Sequence, residues 1–118
     1  MDIIAALTDQ GILNKAEADT LKEVFGDEYA SIMQDFISLL PKHISDLKIA
    51  SKEKHDENIY HISHTLKGMA GNLGCTEFAY CCQKIEESAR KHTIGDYDHV
   101  LDDINQLANK FIEISGAK

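Results

Sequence analysis

The stretch with chemical content runs Tyr60-His61-Ile62-Ser63-His64-Thr65-Leu66-Lys67-Gly68-Met69-Ala70-Gly71-Asn72-Leu73-Gly74. Wound as a helix at about 100° per residue, it places Ile59, Ile62, Leu66, Met69 and Leu73 within an arc of about 80°, the face expected to enter a core. His64 falls nearly opposite, toward water. Tyr60, Lys67 and Gly71 flank it, with His61 and Gly68 a little further round. A glycine in a helix interior costs roughly 1 kcal/mol against alanine. The apolar period continues past Gly68 to Leu73, so the helix is not ending there. Gly68 lies one turn from His64 and Gly71 two turns, and bare positions there let another surface approach the imidazole. Lys67, at i+3, brings an ammonium within reach of the ring. A water-facing imidazole is a nucleophile near neutral pH, and a cation on cleared ground beside it suits a transient anion, phosphate above all.

Blander readings compete for the same residues. A lone surface histidine ordinarily does nothing, and it is the combination with Lys67, Gly68 and Gly71 that favours function. Glu57, His61 and His64 have i, i+4, i+7 spacing suited to a metal, but bundle metal sites face inward and this stripe faces water. Glu86 has Arg90 at i+4 as a possible surface partner, a contact worth little. Cys75, Cys81 and Cys82 read as small core filling plus one exposed thiol rather than a redox centre. His43, His55, His92 and His99 read as surface residues, and the methionine and aromatic positions as core.

The elements that position this stretch are helical. Proline occurs once, tryptophan never, and strand-like alternation is nearly absent, so the expected class is all-α. Residues 2–25 read as one or two short helices broken near Gly11. Gly26-Asp27 is the first firm punctuation, with Asp27 the expected N-cap of a helix reaching about Ser51. Pro41 lies inside it; the apolar period resumes without a shift, so a kink is expected rather than a break. A second long helix spans about Asp56 to Leu73 and is closed by Gly74. Thr76 is the expected N-cap of a third, with Phe78, Cys81, Cys82, Ile85 and Ala89 inward and His92 in its last turn. Thr93-Ile94-Gly95-Asp96 is a turn, and a last helix spans about Asp96 to Ile114. The expectation is one domain over 1–118: an N-terminal helical cap over 1–25 and an antiparallel four-helix bundle over 27–116.

Composition narrows the function classes. The chain has 118 residues, one domain's worth. Its net charge of −8 argues against nucleic acid, which needs a concentrated basic face. No apolar run is long enough to cross a membrane, and no basic leader precedes an apolar stretch at Met1-Asp2-Ile3-Ile4. Three cysteines without a CxxC pair fit a reducing compartment, so a cytoplasmic protein is expected; a monomer is expected as well. The glycines at 68, 71 and 74 spell GxxGxxG, neither a dinucleotide fingerprint nor a P-loop. With no room for a nucleotide-binding lobe beside a bundle, a histidine kinase is excluded. A receiver domain is disfavoured because it needs alternating strands and helices.

His64-x-x-Lys67-Gly68, followed by Gly71 and Gly74 on the second long helix of an acidic four-helix chain, resembles the histidine-containing phosphotransfer (HPt) domain of multistep two-component phosphorelays. The resemblance extends to Phe36-Ile37-Ser38-Leu39-Leu40-Pro41 in the preceding helix and Cys82-Gln83-Lys84-Ile85-Glu86 in the next. It implies a phosphocarrier, not an enzyme with kinase machinery. His64 would accept a phosphoryl group on Nε2 from the aspartyl phosphate of one response-regulator receiver domain, with a hybrid sensor histidine kinase upstream, and pass it to another receiver. Lys67 would hold phosphoryl oxygens, and Glu86 would hydrogen-bond the other ring nitrogen. Gly68, Gly71 and His61 would give the partner access. No cofactor is implied, since magnesium is expected on the receiver. The alternatives are a metal- or redox-sensing bundle and a scaffold that docks a partner without chemistry.

Overall fold

The structure, a computed structural model, describes residues 2–91 and 98–116, Asp98 by its backbone alone. Among them every regular element is helical: α1 (Ile3–Asp9), α2 (Lys15–Phe25), α3 (Glu28–Lys52), α4 (Asp56–Asn72), α5 (Thr76–Arg90) and α6 (Asp98–Ser115). The last four pack in a ring, each long helix against the next and α6 back against α3. Short connections make chain neighbours antiparallel, the arrangement of a four-helix bundle. α1 lies on α3 and α6, and α2 on α3 and α1. The expected turn at 93–96 and the place of His92 lie outside the described residues.

Local chemistry sets most boundaries. Asp2 caps α1 by accepting from the Ala5 amide (3.2 Å), and Asn14 caps α2 by accepting from the Glu17 amide (3.1 Å). Between them Gly11 adopts φ +74, the break expected there. α3 runs unbroken through Pro41, which sits on the exposed side. Asp27 stands at the N-cap position of α3 but is already in helical conformation and makes no side-chain cap bond. At α4 the capping acceptor is the His55 ring, whose Nδ1 accepts from the Asn58 amide at 3.3 Å. Thr76 is not the cap of α5: Cys75 takes that position, and the Thr76 hydroxyl instead donates to Glu17 on α2 at 3.0 Å.

One core joins the described residues. Phe36, Phe78 and Phe111 meet edge to face at 5.8–5.9 Å and join α3, α5 and α6. Ile3, Ile4 and Leu7 of α1 are buried in the same cluster. All three thiols are buried, so the expected exposed cysteine does not exist. Among the aromatic positions Tyr80 is an exception to core placement: it is exposed, with the Lys84 ammonium over its ring. His43 is half-buried rather than on the surface.

The α4–α5 turn is tied down from outside. Gly74 adopts φ +80, and a Cβ there would meet Leu21 Cδ1 at 2.9 Å. The buried Tyr29 hydroxyl donates to the Leu73 carbonyl at 2.7 Å.

Candidate functional site

α4 turns a different stripe to the core from the one its large apolar residues suggest. Ile59, Ser63, Leu66, Ala70 and Leu73 are buried, while Ile62 and Met69 are only half-buried. The correction has a steric origin. α4 and α5 pack most closely of all the pairs, and Ser63 and Ala70 are small enough to permit it. The Ser63 hydroxyl needs no partner on α5, because it donates to the Ile59 carbonyl at 2.7 Å. The rotation leaves His64 outside, with its side chain 57% exposed.

Across from it stands Glu86 of α5, its side chain only 9% exposed. His64 Nδ1 lies 3.0 Å from Glu86 Oε1, and the Lys67 ammonium pairs with the other oxygen, Oε2. One carboxylate therefore holds an imidazole by one oxygen and an ammonium by the other. Burial, the largest influence, pushes the Glu86 carboxyl up. The Lys67 and His64 contacts together outweigh it, and the carboxyl is held below its ordinary value. Arg90 is not its partner. As an acceptor, the carboxylate selects the tautomer with the proton on Nδ1, which leaves the Nε2 lone pair on the opposite edge of the ring.

The surroundings of this pair are bare. A Cβ added at Gly68 or at Gly71 would meet nothing within 4 Å. Gly68 is exposed one turn from His64. Gly71 borders a groove between α4 and α2, with Ala16, Thr20 and Leu21 on its other side. His61 is exposed beside the site, its Nε2 3.8 Å from Glu57 Oε1. It does not join the His64–Glu86–Lys67 constellation.

The Tyr60 ring lies nearly parallel to the His64 imidazole, at 9° with centroids 5.7 Å apart. The residue types gave it no role beyond flanking His64, although the i, i+4 spacing that brings the rings together is plain in the chain.

The competing chemistries find less here. Burial pushes the Cys75 thiol up to about 12 and raises Cys81 and Cys82 as well, which suppresses the thiolates a redox centre needs. Among the described residues no three His, Cys, Asp or Glu side chains group to hold a metal ion. No described helix is long and apolar enough to cross a membrane.

With an outward imidazole, a buried carboxylate behind it and an ammonium beside it on a helical bundle, the class is defined: the chain belongs to the Hpt domain family, whose family model matches residues 31–110. The family comprises phosphocarriers of phosphorelays that interact with response-regulator receiver domains and kinases. Its fold is similar to the crystal structure of histidine-containing phosphotransfer protein B (HptB) from Pseudomonas aeruginosa PAO1. The TM-score is 0.80 at 23% sequence identity, over 89% of this chain and 92% of that chain. No curated protein matches the sequence.

Proposed function

We propose that His64 is the phosphoryl carrier, accepting the group from an aspartyl phosphate on one receiver domain and yielding it to another. The observation that carries this reading is the pairing of Nδ1 with Glu86, which leaves the Nε2 lone pair for phosphorus. As the Nε2–P bond forms, the acyl phosphate P–O bond breaks and the receiver aspartate departs as a carboxylate. The imidazole retains its Nδ1 proton and gains positive charge, and Glu86 is already placed to stabilise it. In the return direction the same bonds exchange. No proton has to leave the ring in either direction, which suits reversible transfer between proteins.

Lys67 neutralises phosphoryl oxygens. Its ammonium is shared with Glu86, so it is held near the carrier before phosphate arrives and needs only a small shift to meet it. Gly68 and Gly71 admit the receiver's loops, and His61 borders the same approach. Residues 1–118 act as one domain in this reading.

Incubation with a phosphorylated receiver, followed by mapping of the modified residue, tests the assignment. An acid-labile, base-stable phosphate on His64 is expected, and none in His64→Gln. Undiminished phosphorylation of His64→Gln would overturn the proposal.

A further inference from the structure

We propose that Tyr60 is a positioning residue for phosphoryl transfer: its ring holds the plane of the His64 imidazole while Glu86 holds its edge. This inference rests on His64 being the carrier.

The two restraints act in different directions. The contact at Nδ1 fixes one atom of the ring (3.0 Å) but leaves the imidazole free to swing about that point. The swing moves Nε2, the atom that must meet phosphorus in line. More than half of the His64 side chain is exposed, so core packing does not stop it. A nearly parallel aromatic ring on the same helix flank, at 9°, opposes that swing.

Tyr60 can do this because it is itself anchored. Its ring is half-buried and packs against the hydrophobic core, and its other aromatic neighbour, His61, meets it edge-on at 77° with centroids 5.6 Å apart. Rigidity therefore passes from core to Tyr60 and from Tyr60 to the imidazole. The ring face has a second effect. When Nε2 carries phosphate and Nδ1 keeps its proton, the imidazole is cationic, and an aromatic face about 6 Å or less from a cation attracts it. The stack thus favours the phosphorylated ring over the free one. The hydroxyl plays no part in either effect, so phenylalanine should substitute.

The test is transfer from a phosphorylated receiver at varied receiver concentration, for wild type, Tyr60→Phe, Tyr60→Leu and His64→Gln. Tyr60→Leu keeps apolar bulk but has no flat face. Its maximal rate should fall about tenfold with an unchanged half-saturating receiver concentration, since orientation rather than docking is lost. Tyr60→Phe should transfer like wild type. In the unaltered protein, nuclear Overhauser contacts between the Tyr60 and His64 ring protons should be present, a readout that needs no variant to fold. Absent contacts, a Tyr60→Leu variant as fast as wild type, or one altered only in half-saturation would each overturn the role of Tyr60. Those results leave His64 as carrier so long as His64→Gln is inert. Phosphorylation persisting in His64→Gln would instead remove the carrier assignment on which the inference rests.

Discussion

The two flanks of α4 are both lined with small residues, for opposite reasons. Toward α5, Ser63 and Ala70 have no exposure at all, and the close approach of the two helices accounts for them. On the outer flank, Gly68 and Gly71 lie inside a helix, where glycine is unfavourable, and added Cβ atoms would touch nothing. The fold explains the first pair and has no use for the second. A glycine whose own molecule would accept alanine without contact is, in the proposed reading, kept bare for a surface that approaches from outside.

That contrast can be broken by substitution. Ala70→Leu should have the largest effect, because overfilling the α4–α5 contact forces the helices apart. A loss of about 3 kcal/mol is expected in chemical denaturation, and transfer should fall along with the folded fraction. Glu86→Ala comes next. It removes the counter-ion of Lys67 and the anchor of His64 together, at about 2 kcal/mol, and transfer should slow even in the fully folded protein. Gly68→Ala should behave in the reverse sense, raising stability by about 1 kcal/mol while lowering the transfer rate severalfold. Gly71→Ala should give the same gain in stability with a smaller loss of transfer, since it borders the α2 groove rather than the imidazole. If Gly68→Ala both stabilised the fold and left transfer untouched, the outer glycines would lose their explanation.

The smallest effect is on acid stability. The Glu86 carboxyl lies below its ordinary value of 4.5 in the folded state. Its contribution to stability is therefore complete above pH 4.5 and is lost as pH falls through the folded value. The stability difference between wild type and Glu86→Gln should narrow as denaturation is repeated from pH 7 down to pH 3. A constant difference would show that the carboxyl is not stabilised by its two partners.

Much of this was legible in the chain because long helices announce themselves. Periodic apolar residues, Gly11, Gly26 and Gly74 placed the breaks, and Pro41 was rightly read as interior to a helix. The stripe on α4 was misread because hydrophobic periodicity weights Ile62 and Met69 heavily and gives Ser63 and Ala70 almost nothing. Which residues reach a helix interface depends on how close the helices come, and small side chains set that distance. The cap of α5 was misplaced by one residue because Thr76, a favoured capping type, is drawn to Glu17, a tertiary contact that local propensity cannot contain. At the site, His64, Lys67 and Gly68 stood within one turn of each other and could be read together. The link from His64 to Glu86 spans two helices and came from the family resemblance rather than from spacing. The parallel setting of Tyr60 on His64 depends on side-chain rotamers, to which residue order is blind.

The clamp on the α4–α5 turn gives the residues before α3 a consequence for the helices after it. Leu21 leaves no room for a side chain at position 74, Tyr29 holds the Leu73 carbonyl, and Glu17 accepts from Thr76. All three of these residues precede position 31, where the family match begins. A chain trimmed to that boundary would keep every motif residue yet lose the brace that sets the two halves of the helical hairpin, one bearing His64 and the other Glu86, at their working separation.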